Sequence, residues 1–264
     1  MTDIAITAPR FKPKLSRHRA WSAAFLAPSV GLMAVFVFLP IGLTIWLSMT
    51  KWSTQTSFTT AKFIGFDNYR DLVGDGPVGR DFRQALRNTF AYAAMSIALI
   101  LPLSIILGLF IHRVAIRGTS VLRAILFSTY MVPTIAVALV WSKMYSPSEG
   151  PLNQVIGWFG FDPQTWLSSP ATALRSLVLL NVWQQIGYFT VLVVAGLTQI
   201  PDSVYEAAAL DGARGFRLFA RITLPLLRRT LLFNVVIALI NAIQVFEPVS
   251  AITQGGPVGS TNVL

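Results

Sequence analysis

The sequence contains no cysteine, and it has only two histidines, His18 and His112. Without cysteine the chain can form neither a disulfide nor a thiolate metal site, and the redox compartment stays open. The two histidines lie far apart in the sequence, each beside a basic residue. We therefore expect no metal site in this chain.

Charge is also scarce. Only 12% of the residues are charged while 54% are hydrophobic, and the mean hydropathy is +0.61. A soluble domain carries about 25% charged residues. The apolar residues fall in blocks long enough to cross a bilayer, which takes about 20 residues, and they lack the short alternating strands of a transmembrane barrel. The predicted fold class is all-α, a polytopic transmembrane helical bundle.

Five apolar blocks predict five membrane spans. They cover Trp21–Met49, Thr89–Ile111, Val121–Tyr145, Leu174–Leu197 and Thr230–Ile252. Prolines inside these blocks are compatible with a span, because neighbouring helices can satisfy the carbonyls that a proline frees. The polar segments comprise a basic tail over Met1–Ala20, loops over Lys51–Arg87 and Ser146–Ala173, a helix-prone segment over Pro201–Arg229, and a Gly/Ser/Thr-rich tail over Thr253–Leu264.

The net charge of +10 comes from Lys and Arg at the ends of the apolar blocks. In a soluble protein this charge would suggest nucleic-acid binding, but here it indicates membrane orientation. With the N-terminus inside, the inner segments are all basic: the tail, the Arg113–Arg123 turn and Pro201–Arg229. The outer loop Ser146–Ala173 and the C-terminal tail contain no Lys or Arg. We therefore predict a cytoplasmic N-terminus.

Three functions are disfavoured by the motifs and residues that the sequence lacks: ATP hydrolysis, phosphotransfer and ion-coupled transport. The chain has no Gly-x-x-x-x-Gly-Lys-Ser/Thr loop, so any ATP hydrolysis must be done by another chain. Asp211-Gly212-Ala213-Arg214 superficially resembles the start of the CDP-alcohol phosphotransferase motif, but no aspartate follows Asp211 to complete a metal site. An ion-coupled secondary transporter needs carboxylates at membrane depth, and the first four predicted spans have none in their interior.

The segment Pro201–Arg229 is predicted to form two short cytoplasmic helices. Ser203 and Glu206 fit a capping box, with Ser203 as the N-cap. Gly212 is suited to the left-handed residue that ends a helix. A second helix over Phe216–Leu224 is predicted to stop at Pro225. On local physics alone, this segment could equally be a well-capped loop helix without further function.

The order of residues in this segment indicates a function more specifically than its helix propensity does. Glu206-Ala207-Ala208, Asp211-Gly212-Ala213 and the later Phe219, Ile222 and Leu224-Pro225 closely resemble the EAA motif of ABC-importer permeases. The following segments resemble the sugar-permease branch of that family: Leu26-Ala27-Pro28 with Pro40, Phe63–Tyr69, Val182-Trp183-Gln184 and Thr253–Pro257. The chain is thus similar to carbohydrate-type permeases for maltose, trehalose and glycerol phosphate.

This resemblance implies a transmembrane permease domain over residues 21–264, in the plasma (inner) membrane of a bacterium or archaeon. The expected partners are a second permease subunit, two ATPase subunits and an extracytoplasmic solute-binding protein, with ATP and Mg²⁺ bound by the ATPases and no cofactor in this chain. The ATPase-coupling residues implied are Glu206, Ala207, Ala208, Asp211, Gly212, Ala213 and Arg214. The family normally has a sixth span after the Gly-Gly-Pro segment, and this sequence ends at Leu264. Either it is a fragment or that span is absent.

Polar residues at membrane depth suggest a transport path. Span four carries amides and a tyrosine at helical spacing, and span five carries amides and a carboxylate within about 140° of its circumference. The candidate path residues are Asn181, Gln184, Gln185, Tyr188, Asn241, Gln244 and Glu247. They suit sugar hydroxyls, because an amide both donates and accepts hydrogen bonds. Hydrogen bonding between helices remains the alternative role.

Several questions about the path stay open. Trp183 and Phe246 could stack on a sugar face or simply pack. Glu247 could contact substrate, act as a gate or lie at the interface. Buried cations are lacking except for Lys143 and Arg175, near the outer ends of their spans. This favours a neutral sugar or polyol over glycerol phosphate, which remains the alternative substrate. An ion-coupled secondary transporter is the less favoured alternative mechanism.

Overall fold

The computed structural model describes residues 15–52, 61–113 and 119–264. The chain divides into two compact units, residues 1–76 and 77–264. In the described part of the chain, four helices are long and apolar enough to cross a membrane: Trp21–Ser48, Pro77–His112, Ala173–Leu197 and Gly215–Ile243. A bent pair of shorter helices makes a fifth if it is counted as one span. The predicted all-α polytopic class is therefore confirmed.

The first unit contains one long apolar helix. It consists of α1 (Leu15–Met33), a π-helical segment (Ala34–Phe38) and α2 (Leu39–Ser48). The wide π turn precedes Pro40, whose ring would clash with the carbonyl four residues earlier in a regular α-helix. The predicted first span is confirmed, and its helix begins before Trp21. Residues Met1–Lys14 of the predicted tail lie outside the described residues.

A short two-stranded sheet and a helix follow the end of α2. Strand β1 (Thr50–Lys51) pairs antiparallel with β2 (Lys62–Phe63), and α3 (Asp67–Val73) follows. The Asn68 side-chain amide donates hydrogen bonds to the carbonyls of Ser48 and Thr50, at 2.8 and 3.0 Å. These bonds satisfy carbonyl groups at the end of the helix and tie α3 to it.

The second unit begins with a helix that is longer than predicted. Helix α4 (Pro77–Arg113) contains the predicted second span but starts within the segment expected to be a loop, Lys51–Arg87. Proline favours the first position of a helix, which explains the start at Pro77. The charged residues Asp81, Arg83 and Arg87 are exposed on this extension and do not interrupt it.

The predicted third span is not one straight helix. Helix α5 (Thr119–Met131) and helix α6 (Thr134–Met144) meet at an angle of 93° around Val132-Pro133. Pro133 has no N–H to continue the helix, and it forces the preceding residue towards extended backbone. Helix α7 (Pro151–Trp158) lies in the predicted loop Ser146–Ala173.

Helix α8 (Ala173–Leu197) confirms the predicted fourth span and forms the centre of the second unit. It packs against α4, α5 and α11 at glycines that permit close approach. A Cβ on Gly187 would lie 1.7 Å from the Leu126 carbonyl oxygen of α5. A Cβ on Gly108 of α4 would lie 2.6 Å from the Val193 side chain. Small residues of this kind let membrane helices approach closely.

After α8 the chain forms α9 (Asp202–Leu210), α10 (Gly215–Leu218), a π-helical segment (Phe219–Thr223) and α11 (Leu224–Ile243). The predicted stop at Pro225 is wrong, since Gly215–Ile243 is one continuous 29-residue span. Pro225 sits in the first turn of α11, directly after the π segment. There its missing N–H breaks no regular α-helical ladder.

The predicted end of the fifth span at Ile252 is also wrong, because α11 ends at Ile243. A short π-helical turn (Val249–Thr253) follows, and the remaining residues pack against α4. Asn88 donates from Nδ2 to the carbonyls of Gly259 and Asn262, at 2.9 and 2.8 Å. The Leu264 amide donates to Thr89 Oγ1 at 3.0 Å. The C-terminal segment is thus an ordered part of the fold.

Candidate functional site

Two regions of the second unit could carry function: the loop around α9 and a polar cavity beside α8. Helix α9 ends in a Schellman motif. The Gly212 amide donates to the Ala209 carbonyl at 3.1 Å, and the Ala213 amide donates to the Ala208 carbonyl at 2.9 Å. Gly212 has a φ of +74°, a left-handed conformation that glycine adopts without strain. The predicted role of Gly212 in ending the helix is confirmed.

The start of α9 differs from the prediction. The N-cap position is Pro201, and no side-chain hydrogen bond caps the helix. Ser203 lies two residues after the N-cap, inside the helix, so the predicted capping box is wrong. Proline at the cap with extended backbone starts the helix by conformation alone, and Asp202 places a negative charge in the first turn, where the helix dipole favours it.

Most of the predicted coupling residues face outward from the described structure. Glu206, Ala207, Asp211, Gly212 and Arg214 are exposed, whereas Ala208 is buried and Ala213 is half-buried. No ion pair within the described part of the chain involves the three charged side chains among them. Ala208 therefore holds the helix on the protein, and the charged groups are free to face another molecule.

Sequence reasoning missed two apolar side chains in this loop. Leu210 is 90% exposed and Phe216 is 81% exposed. They lie on either side of the Gly212 turn, at the end of α9 and the start of α10. Large apolar side chains as exposed as these, on one polar loop, are typical of a surface that another protein covers. The signal in the sequence was their position directly before Asp211 and directly after Gly215.

The polar cavity has a volume of about 560 Å³ and lies between α8, the α5–α6 break and the end of α11. Its lining residues are Tyr130, Met131, Val132, Pro133, Thr134, Ile135, Leu180, Asn181, Gln184, Gln185, Asn241, Gln244, Val245, Glu247 and Pro248. Six of the seven predicted path residues thus line one cavity. The structure brings them together because α11 ends beside α8, which aligns the polar positions of the two helices.

The seventh predicted path residue, Tyr188, does not line the cavity but packs against a residue that does. Its ring stacks on Tyr130, with centroids 4.5 Å apart and planes at 17°. Tyr130 lines the cavity, so Tyr188 positions a lining residue. Sequence reasoning missed Tyr130 and Thr134, and the signal that could have found them is Pro133 between them in an apolar block.

The amides in the cavity differ in what they bond. Gln185 donates to Asn181 Oδ1, and Asn241 Nδ2 donates to Gln185 Oε1 at 3.1 Å. This chain of amides joins α8 to α11 and leaves further donor and acceptor positions facing the cavity. Gln184 is different, because its Nε2 donates to a backbone group, the Val132 carbonyl oxygen, at 3.1 Å.

The cavity wall carries one carboxylate, Glu247, and none of its lining residues is Lys, Arg or His. Trp183 and Phe246, considered for stacking on a sugar, do not line it. Trp183 instead packs on Trp141, with ring centroids 5.5 Å apart. Asn234 of α11 is fully buried, and neither polar atom of its side-chain amide has a hydrogen-bond partner among the described residues. A wall rich in amides and free of cations suits hydroxyl-bearing, uncharged ligands.

A second, smaller cavity of about 270 Å³ lies between α9 and the neighbouring ends of α4, α8 and α10. It is lined by Leu109, His112, Leu197, Tyr205, Leu218 and Thr223. Its wall is mostly apolar, and it leaves α9 incompletely packed on the bundle. Loosely packed contacts of this kind permit a helix to shift at little cost.

Comparison with known proteins gives a family and several relatives. Residues 101–263 match the family of binding-protein-dependent transport system inner membrane components. The trehalose/maltose transport system permease protein MalF of Thermococcus litoralis is 34% identical, over 89% of this chain and 78% of that protein. The diacetylchitobiose uptake system permease protein NgcF of Streptomyces coelicolor is 34% identical, over 90% and 69% respectively.

Solved structures resemble the fold as well. A chain in the crystal structure of a bacterial alginate ABC transporter, in complex with an alginate pentasaccharide-bound periplasmic protein, matches with a TM-score of 0.76. The match is 25% identical and covers 96% of this chain and 82% of that one. The sequence relatives include both archaeal and bacterial proteins.

Proposed function

Since the chain belongs to the family of binding-protein-dependent transport system inner membrane components, we propose that it is one permease subunit of an ATP-driven importer for a neutral sugar or related polyol. The observation that carries the proposal is the cavity of amides between α8, the α5–α6 break and the end of α11. The resemblance of the chain to permeases named for trehalose, maltose and diacetylchitobiose supports the choice of a carbohydrate.

The cavity suits a sugar in size and chemistry. Its volume of about 560 Å³ lies within the range of roughly 300–1,000 Å³ of small-molecule sites. Asn181, Gln185, Asn241 and Gln244 offer donors and acceptors that can replace water around hydroxyl groups. The absence of a cation among its lining residues disfavours a phosphorylated solute, since a phosphate in a low-dielectric wall needs Arg or Lys beside it.

The loop around α9 is the proposed contact with the ATPase. Leu210 and Phe216 would fill an apolar cleft on that subunit, and Glu206, Asp211 and Arg214 would meet charges at its rim. The cation-rich segment that holds α9 supports its placement in the cytoplasm. In this scheme two ATPase subunits bind ATP and Mg²⁺, this chain carries no cofactor, and it performs no hydrolysis itself.

Closure of the ATPases would push α9 against the bundle, and the bundle would rock between inward- and outward-open states. A second permease subunit would complete the pathway, and an external solute-binding protein would deliver the sugar. The small apolar cavity behind α9 leaves room for such a shift. Helix α8 would connect the two cavities, because Asn181 and Gln185 near its middle line the polar cavity and its last residue, Leu197, lines the cavity behind α9.

The test is uptake by cells that contain the complete transporter, compared with cells from which this chain is deleted. The probes are radiolabelled trehalose, maltose and diacetylchitobiose, with glycerol 3-phosphate as the anionic competitor class. We expect loss of uptake of at least one neutral sugar, restored by the intact chain but not by a variant that carries leucine at both Asn241 and Gln185. Loss of glycerol 3-phosphate uptake alone would overturn the assignment of a neutral substrate.

A further inference from the structure

Helix α7 lies at the end of α8 that is remote from the arginine-rich loop. Tyr145 donates from its hydroxyl to the Ser176 carbonyl oxygen at 2.6 Å, and Ser176 Oγ donates to the Trp166 carbonyl oxygen at 2.9 Å. Ser176 is in the first turn of α8, which begins at Ala173. The segment between Tyr145 and Trp166, which includes α7, therefore lies at the end of the membrane-crossing helices that the predicted orientation places on the outer side.

The base of α7 is fixed to the bundle. Leu152 packs against the buried cluster of Val137, Trp141, Tyr145 and Leu180. The buried Asn153 binds three neighbouring groups: its Nδ2 donates to the Pro147 carbonyl at 2.9 Å and to the Gln164 carbonyl at 3.1 Å, and its Oδ1 accepts from Trp166 Nε1 at 2.7 Å. A hub with these partners holds the orientation of the helix.

Large apolar side chains are exposed on the side of α7 that carries Val155 and Trp158 and directly after its end. Val155 is 40%, Trp158 81% and Phe159 75% exposed, and Phe161, just past the turn at Gly160, is 67% exposed. Val155, Trp158 and Phe159 lie on one side of the helix, since positions three and four apart share a face. These exposed side chains lie on a segment whose base is fixed at the end of the spans, and we call them the aromatic tip.

We propose that this aromatic tip, Val155, Trp158, Phe159 and Phe161, inserts into the outer lipid leaflet and anchors the extracytoplasmic segment to the membrane surface. Tryptophan and other aromatic rings prefer the boundary between headgroups and acyl chains, and a short helix with one apolar face lies in that boundary. No residue from 151 to 161 is charged, so insertion of the tip requires no charged side chain to be desolvated.

The charge around the tip also favours lipid chains over an anionic surface. The nearest charged residues are the acidic Glu149 and Asp162. Residues 146–172 contain no Lys or Arg, and the cations Lys143 and Arg175 lie at the base of the segment, so insertion of the tip is driven by burial of apolar surface and not by attraction to acidic headgroups. The tip should therefore enter neutral and anionic membranes to the same extent.

The absence of cysteine makes a direct test simple. Single variants Trp158→Cys, Phe159→Cys and Phe161→Cys, each in the complete transporter in phosphatidylcholine nanodiscs, are labelled with a nitroxide. The unsubstituted transporter gives the background from the other subunits. Oxygen, which concentrates in lipid, should relax these labels several-fold more effectively than a water-soluble nickel chelate. A label at Glu149→Cys, on the same segment but outside the tip, should show the reverse order.

Two results would overturn the proposal. Relaxation of all three tip labels mainly by the nickel chelate would place the tip in water. Protection from both reagents would mean that a protein surface, such as a partner permease, covers it. If a cysteine variant fails to assemble, Trp158→Phe provides a milder probe. Brominated lipids should quench the tryptophan fluorescence of the parent transporter more than that of Trp158→Phe, and equal quenching would contradict insertion of this ring.

Discussion

Gln184 of α8 donates a hydrogen bond from Nε2 to the Val132 carbonyl oxygen, at a distance of 3.1 Å. Val132 precedes Pro133 at the sharp bend between α5 and α6. In return, Thr129 Oγ1 at the end of α5 donates to the Gln184 carbonyl at 3.2 Å. Gln184 thus satisfies a backbone group that the break releases, and it differs in role from the other amides of the cavity.

Replacing this amide should affect stability more than transport chemistry. In Gln184→Met the side chain keeps its shape but loses the bond to Val132, which should lower the stability of the permease by about 0.5–1.5 kcal/mol. The midpoint of thermal unfolding of the purified transporter measures this. Gln185→Met is the comparison: it loses the bonds to Asn181 and Asn241, so it should also lower stability, but unlike Gln184→Met it should reduce sugar uptake strongly. Loss of uptake in Gln184→Met without any change in the midpoint would assign Gln184 to the substrate instead.

Gly187 should tolerate no side chain. An added Cβ would lie 1.7 Å from the Leu126 carbonyl oxygen, so α5 would have to move away from α8. For Gly187→Ala we expect a loss of about 1–3 kcal/mol, as is usual for overpacking, with poor assembly of the transporter. Gly157→Ala is the control, because nothing lies within 4 Å of its added Cβ. Equal expression and stability of both variants would contradict the close α5–α8 contact.

The turn at Gly212 should depend on backbone conformation and not on space. A Cβ there meets nothing within 4 Å, yet φ is +74°. A β-branched residue in Gly212→Val should destabilise this turn by about 1–2 kcal/mol and thereby displace Ala213 and Arg214. ATP hydrolysis should then continue with little sugar uptake. Gly212→Asn, which accepts the left-handed conformation more readily, should retain more coupled transport. Normal coupling in Gly212→Val would remove the loop from the coupling path.

Leu210 should matter for assembly with the ATPase and not for folding. The side chain is 90% exposed, so Leu210→Ser removes nothing from the core of the permease. If the side chain fills a cleft in the ATPase, the variant should lose roughly 2 kcal/mol or more of association free energy, the range of interface hot spots. Co-purification and titration of the ATPase subunits measure this. The neighbouring exposed Ala209→Ser should bind normally, and equal binding by both variants would exclude Leu210 as an anchor.

Asn234 offers a gain in stability. It is fully buried, and neither amide atom has a hydrogen-bond partner in the described structure. Replacing a buried amide without partners by an apolar group of similar shape can stabilise a protein, by about 1–3 kcal/mol for the desolvation that is avoided. Asn234→Leu should raise the unfolding midpoint, whereas Asn241→Leu, which breaks the bond to Gln185, should not. A lower midpoint in Asn234→Leu would indicate that a bound water satisfies the amide.

The helical class, the fourth span and the polar lining of the cavity could be predicted from the sequence, because each depends on a local pattern of residues. Helical spacing alone places Asn181, Gln184 and Gln185 on one face. The end of α9 at Gly212 is predicted because glycine favours the left-handed conformation that ends a helix. Each of these features depends on residues within one or two turns of one another. Such patterns survive in the folded chain because nothing distant competes with them.

The errors arose where hydrogen bonding between distant segments, or helix geometry at a proline, decided the outcome. Pro133 and Pro225 look alike in the sequence, yet one bends the chain by 93° while the other lies within a continuous span. The difference is the π-helical segment before Pro225, which no composition rule predicts. The packing of the C-terminal segment on Asn88 and Thr89 likewise joins residues more than 170 positions apart.

Because Gly215–Ile243 is one continuous helix, a tilt at one of its ends would move the other end. Its 29 residues extend roughly 40 Å at 1.5 Å per residue, from the loop around α9 to the wall of the polar cavity. Each degree of tilt about one end displaces the other by roughly 0.7 Å at that length. A rod of this kind converts a small rotation at Phe216 into a displacement of Asn241 comparable to a hydrogen-bond length. Pro225 does not act as a hinge, because the helix continues through it without a break.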